Sequence, residues 1–290
     1  MKNPITPLAL AAALVCSLGL TSCAESGKKE ARTTTSGKQA APAVPKDLFL
    51  YGLKDQKAKR QVTEPNLGFK QELKATRERE FQNNTAIRGV YIQKGFSHIA
   101  NGSFSGCSNL ETLSLDGTVD VINDNAFENC TKLKEVAGDI RTVGLASFKG
   151  CTALERVAFT DNLYWIRDEA FAGCTNLRSV LLSTTMRKFE DGAFRDCPNI
   201  EEIAVPSEWR RYMFNIYKDM KKLQRVYLLV MEQYPFPEKS KDFPCEQVDL
   251  YVPDAFVEAY KADKSWARFK SILPLSQSGH YTAEGWVKKQ

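Results

Sequence analysis

The residues best equipped for chemistry in this chain are its cysteines, and five of them stand in a ladder. Cys107, Cys130, Cys151, Cys174 and Cys197 follow one another at steps of 23, 21, 23 and 23 residues. Thiols at one repeat position can pair as disulfides, hold a metal, or fill space. One step outward on either side the same position is Asn84 and Met220. A position that accepts Cys, Asn and Met is packed rather than bonded, so the ladder reads as small buried free thiols. Two alternatives stay open. Neighbouring thiols on adjacent rungs would fall within disulfide range, although parallel side chains point the same way. A metal site would need a His or Cys pair nearby, and no CxxC occurs. Cys245 stands alone.

Other catalytic candidates are few. The chain has two histidines. His98 precedes the apolar Ile99 and is expected to point to solvent, and His280 lies in a polar tail. Neither has a sequence partner that suggests a triad, a phosphate loop or a zinc set. The acids fall at variable repeat positions, which is how a solvated surface is written. The expectation is no enzyme, no cofactor and no metal.

The elements that carry the cysteines form one repeated unit between Phe81 and Leu228, Phe-x-x-Cys-x-x-Leu-x-x-Leu-x-Leu, as in Phe104 to Leu115. Its Phe recurs as Phe127, Phe148, Phe171 and Phe194, with degenerate outer copies starting at Phe81 and Tyr217. A fixed period of this length means a solenoid, because each unit exposes an apolar face that only its neighbour covers. Leu-x-x-Val-x-Leu reads as a strand, since Val157 and Phe159 alternate with Arg156 and Ala158. A second inward residue follows in Ile99, Ile122, Val143, Ile166 and Phe189. Val143 comes two residues early, which places a deletion around Gly138-Asp139. Phe, Cys at +3 and Leu at +6 suit a tight helical or 3₁₀ turn. The fold class is therefore a repeat solenoid with a parallel sheet, one strand and one short helical or 3₁₀ turn per repeat of about 23 residues, and caps at both ends.

Ala-Phe-x-x-Cys-x-x-Leu-x-x-Val-x-Leu resembles the bacterial surface-antigen (BspA-like) type of leucine-rich repeat. Val248 to Pro253, then Phe256 to Lys261, Trp266 and Phe269, is similar to the segment that ends many such proteins. The resemblance covers residues 81–273. It implies a recognition scaffold displayed on a bacterial envelope, with a protein or glycan partner.

The chain begins with a targeting segment. Lys2 precedes an apolar run from Leu8 to Leu20, too short to span a bilayer, for which about 20 residues are needed. Leu20-Thr21-Ser22-Cys23 resembles a lipobox, which implies cleavage before Cys23, lipidation of its thiol and an outer-membrane lipoprotein. The alternative is an ordinary signal peptide with a chance Cys. Residues 24–46, rich in Ser, Thr, Gly, Lys, Ala and Pro, cannot bury a core and read as a tether. The expected organisation is signal peptide 1–22, tether 23–46, N-terminal cap 47–80, solenoid 81–228, C-terminal repeat and cap 229–275, and tail 276–290. Within the caps, Phe49, Tyr51 and Leu53 predict an edge strand, Gly68 to Glu80 a helix with Phe69, Leu73 and Phe81 inward, and Asp254 to Asp263 a helix packing back through Phe256, Val257 and Tyr260. The tail, polar apart from Tyr281 and Trp286, is expected to be loose. A formal net charge of +5 from 40 basic and 35 acidic residues is mild, and nothing suggests nucleic acid.

In a repeat protein, function sits where the repeat is free to vary. One column alternates in sign: Arg88, Glu111, Lys134, Glu155, Arg178, Glu201, then Gln224. It reads as a self-neutralising ladder. A second column is uncharged throughout: Tyr91, Ser114, Ala137, Ala158, Leu181, Ala204, Tyr227. It should face outward. It is either filler, or covered by the loop from Val230 to Cys245, or a strip for a partner spanning on the order of 29 Å. The leading functional expectation is a lipid-anchored, surface-exposed recognition protein. The alternatives are a scaffolding envelope lipoprotein without an external ligand and, last, a hydrolase, which a buried His/acid cluster would favour.

Overall fold

In the computed structural model, residues 45–58, 61–70, 73–190, 192–206, 219–229, 243–282 and 285–286 are described. The expected signal, Cys23 and almost all of the expected tether, together with residues 230–242, lie outside the described residues.

The repeat's alternating half forms a short parallel strand in every coil: Gly89–Ile92, Thr112–Leu115, Glu135–Gly138, Arg156–Phe159, Ser179–Leu181, Glu202–Pro206 and Arg225–Leu229. Phe49–Tyr51 and Asn66–Phe69 precede them, and Asp249–Val252 and Ser271–Pro274 follow. These strands make the front face. They form two ladders, one of four strands ending at Thr112–Leu115 and one of seven starting at Glu135–Gly138. The central residues pair in register, Val136 with Val157, Val157 with Val180, Val180 with Ile203, and Ile203 with Val226.

A second parallel sheet of five short strands carries Ile99, Ile122, Val143, Ile166 and Phe189 in one register, as their spacing predicts. The two-residue deletion also falls where expected. Three residues separate Thr112–Leu115 from Val119–Ile122, but only Asp139 separates Glu135–Gly138 from Ile140–Val143. Gly138 meets this sharp bend at φ +129°, a region closed to most side chains.

The helical turns form a third hydrogen-bonded column. The amides of Phe104, Phe127, Phe148 and Phe171 each donate to the carbonyl just before the next repeat's Phe, at 2.7–2.8 Å. The residue before each ladder cysteine adopts positive φ, which explains Gly, Asn or Asp at Gly106, Asn129, Gly150, Gly173 and Asp196. The rings of Phe81, Phe104, Phe127, Phe148, Phe171 and Phe194 stack with centroids 5.0–5.3 Å apart and near-parallel planes. Burying one such ring contributes about 2–3 kcal/mol, and its stacking about 1 kcal/mol more.

The cysteine ladder is free, buried and hydrogen-bonded. Each thiol donates to a Phe carbonyl of the preceding coil: Cys107 to Phe81 (3.1 Å), Cys130 to Phe104 (3.2 Å), Cys151 to Phe127 (3.3 Å), Cys174 to Phe148 (3.3 Å) and Cys197 to Phe171 (3.1 Å). At the outer copy the Asn84 amide donates to the Val62 carbonyl at 2.8 Å. Asn thus keeps the donor role, and the position does more than fill space. Burial pushes the Cys107 and Cys151 thiols up to about 12, so they stay protonated at neutral pH.

Two expectations fail. Gly68 to Glu80 is not a helix. Gly68 and Phe69 end the strand Asn66–Phe69, and residues 78–83 form turns. Phe69, Leu73 and Phe81 are all buried, but each at a different part of the coil. In place of intrahelical bonds, Gly68 pairs beside Tyr91, and the amides of Thr76, Arg79 and Phe81 donate to the carbonyls of His98, Asn101 and Ser103 on the next coil. The tail is not loose either. Tyr281 is buried, and Tyr281–Thr282 pairs antiparallel with Gly285–Trp286. The C-terminal cap holds a 3₁₀ turn, Asp254–Phe256, and a helix, Val257–Ala262, with Val257 and Tyr260 packed inward. Among the described residues no helix is long and apolar enough to cross a membrane.

Candidate functional site

The front sheet sets the uncharged column in register: Tyr91 beside Ser114, Ala137 beside Ala158 and Leu181, and Ala204 beside Tyr227. The column runs on into Gly68 at one end and into Tyr251 and Leu273 at the other. Its two halves differ. Tyr91, Ser114 and Ala137 are half-buried. Ala158 is 1 % exposed, Leu181 and Ala204 0 %, and Tyr227 1 %. An outward strip open along its whole length is therefore corrected to one that is open over its N-terminal half.

The described contact at the closed end comes from the tail; the loop from Val230, also expected there, lies almost wholly outside the described residues. The Tyr281 hydroxyl donates to the Leu182 carbonyl at 2.8 Å, across 99 residues of sequence. The Tyr227 ring meets Tyr251, His280 and Tyr281 at centroid distances of 5.1, 5.4 and 5.7 Å.

Beside this column stands a polar one. Glu135 pairs with Arg156 at 2.5 Å, and Arg225 with Glu202 at 3.1 Å. The alternating-sign column, expected to be a self-neutralising ladder, is so at one step. Among its members only Arg178 and Glu201 approach as an ion pair, at 3.5 Å, and both are partly exposed.

Glu202 is the centre of the polar column. Its carboxylate accepts from Ser179 Oγ (2.6 Å), Tyr227 Oη (2.8 Å) and Arg225 Nε (3.1 Å), and His280 Nε2 lies 3.5 Å away. It is 8 % exposed. Burial by itself raises a carboxyl pKa. Here the donors His280, Ser179 and Tyr227 outweigh burial and hold Glu202 well below the usual carboxylate range. Burial and the Glu202 charge push the Tyr227 hydroxyl well above its ordinary value. Glu202 is thus a fixed anion and acceptor, not a group poised to exchange protons. A Glu two residues before Ala204 in strand alternation, with Arg225 on the next rung, was the available signal. His280 gives none locally.

His98 is exposed, as expected. Among the described residues no three His, Cys, Asp or Glu side chains gather as a metal site. A cleft of about 400 Å³ opens near Thr118, Asp120, Arg141, Asn162, Tyr164 and Thr185.

The pattern of the BspA-type leucine-rich-repeat region matches this chain in six copies, over residues 62–142 and 141–233. The chain belongs to the BspA-type leucine-rich-repeat family. The match begins within the stretch expected to be a separate N-terminal cap, consistent with Asn66–Phe69 pairing as an ordinary rung. Among solved structures the chain is similar to a leucine-rich-repeat protein of T. pallidum, with 15 % identity and TM-score 0.41, covering 79 % of this chain and 92 % of the other. A leucine-rich cell surface protein of Faecalibacterium prausnitzii has 14 % identity and TM-score 0.36, with 82 % and 86 % coverage. A leucine-rich-repeat protein of Bacteroides ovatus has 18 % identity and TM-score 0.36, with 75 % and 74 % coverage. No curated protein matches the chain.

Proposed function

We propose that this BspA-type protein is a lipid-anchored recognition module of a bacterial envelope, displayed at the surface, that takes a protein or glycan partner along its front sheet. The observation carrying the reading is the uncharged column, which is in register within each of the two front ladders. Tyr91, Ser114 and Ala137 remain partly exposed on it, while the charges beside it, Glu135 and Arg156, neutralise each other. Small side chains let a ligand approach the backbone, and Tyr91 offers rigid amphipathic contact area. The anchor rests on Leu20-Thr21-Ser22-Cys23, and envelope display on the family. Recognition rather than catalysis is the reading that the repeat family supports.

The test pairs two measurements. Protease added to intact cells should remove the domain, and a Cys23→Ala full chain used as bait should retain a partner whose affinity falls at least tenfold with Ala137→Arg. A domain resistant to shaving favours a scaffold inside the envelope. Undiminished binding by a folded Ala137→Arg protein moves the site off the front sheet.

A further inference from the structure

Within the closed half, the surface around Leu182, Glu202 and Tyr227 is built like a bound complex whose ligand is the chain's own tail. From Ser271–Pro274 the chain turns back and brings Tyr281 to Leu182, four rungs away, on the order of 19 Å. Its contacts there are specific. Tyr281 sinks to 1 % exposure, gives its hydroxyl to a main-chain carbonyl and packs on Tyr227, while His280 sits against both the Tyr227 ring and Glu202. The floor includes the flat ring of Tyr227, and Ser179 and Arg225 hydrogen-bond Glu202 from within the solenoid. A single pairing of Tyr281–Thr282 with Gly285–Trp286 is the only ladder the tail makes among the described residues, and it joins no rung of the solenoid.

We infer that this half of the sheet is a peptide-binding surface shut by a displaceable tail, and that its partner is an extended segment with a cationic side chain next to a tyrosine. The cation replaces His280 at Glu202, and the tyrosine replaces Tyr281 at the Leu182 carbonyl. The inference rests on the proposed recognition along the front sheet and narrows it to one ligand chemistry. Tail and ligand cannot occupy the surface together, so the tail sets the threshold for binding.

The probe is a labelled peptide of residues 275–286, added to the full-length chain and followed by fluorescence anisotropy. The chain carrying His280→Ala and Tyr281→Ala should bind it saturably, at least tenfold tighter than the unaltered chain, whose own tail competes. Peptide binding to that variant should drop about fivefold when the peptide's tyrosine becomes phenylalanine, through loss of one hydrogen bond, and it should survive His-to-Lys in the peptide. Glu202→Gln in the variant should weaken it further. Equal affinity for variant and unaltered chain, or none for a folded variant, overturns the inference. If the double variant loses its β-sheet circular dichroism, Tyr281→Phe alone frees the Leu182 carbonyl while keeping the ring, and must still raise peptide affinity. Failure here with partner binding still sensitive to Ala137→Arg would remove only the tail-gated surface, whereas loss of both would remove recognition on this sheet.

Discussion

The thiol of Cys151 donates to the carbonyl of Phe127, 3.3 Å away and one coil back, while the amide of Cys130 donates to that same carbonyl at 3.2 Å. The acceptor thus joins two neighbouring coils at one oxygen. Cys151→Ala removes the cross-coil donor and leaves a small cavity, and should destabilise by about 1–2 kcal/mol in chemical denaturation. Reductant should leave the unaltered protein's melting temperature unchanged, because these thiols are free. A drop in melting temperature with reductant alone would contradict the buried-thiol ladder.

Substitution along the uncharged column should separate its halves. Ala137 is half-buried and Ala158 is 1 % exposed on the adjacent rung. Ala137→Arg should cost less than about 0.5 kcal/mol, whereas Ala158→Arg forces bulk and charge into packed space and should cost about 3 kcal/mol or more. Parallel urea titrations of the two variants check this.

Glu202 makes stability depend on acid. Its folded-state pKa is depressed, so the unfolded chain binds the extra proton, and stability is fully present above the ordinary carboxyl pKa. That contribution should decline as pH falls below about 4.5. Glu202→Gln should be less stable at pH 7 and should lose less between pH 5 and pH 3 than the unaltered protein. Melting curves across that range provide the comparison, and identical slopes would count against the depressed pKa.

Lipidation is checked separately. With Cys23→Ala the protein should move from the detergent phase to the aqueous phase on Triton X-114 partitioning and lose acyl labelling. Unchanged partitioning would remove the anchor from the proposal.

Most of the architecture was legible because burial repeats with the sequence. Phe104, Cys107 and Leu110 are each 0 % exposed, and so are their equivalents at Phe148, Cys151 and Leu154. Even the deletion at Gly138-Asp139 could be placed, since Val143 had to stay in register with Ile122. What misled was local spacing without a repeat behind it. Phe69, Leu73 and Phe81 have helical intervals, yet Phe69 pairs with Tyr51 in a strand, the Leu73 amide closes a turn on Lys70, and the Phe81 amide donates to Ser103 on the next coil. The Glu202 cluster was illegible for another reason. His280 and Tyr281 reach it from 78 and 99 residues downstream of their contacts at Glu202 and Leu182, and a polar tail carries no periodicity to announce that return.

The front face is interrupted between Thr112–Leu115 and Glu135–Gly138, where no ladder joins adjacent strands among the described residues. The second sheet passes that level unbroken, through Val119 paired with Ile140, and so does the stack from Phe104 to Phe127. One wall of the rod is therefore cut while its other two are continuous. Under bending load such a rod flexes at the cut, as a notched beam does, and opens toward the front. Amides of Glu135–Gly138, which face the cut because front-sheet amides donate to the preceding rung, should then exchange with solvent faster than those of Arg156–Phe159, although both sit mid-array. Curvature of the partner-facing surface would be adjustable at one fixed level, next to Ser114 and Ala137, rather than spread evenly along the chain.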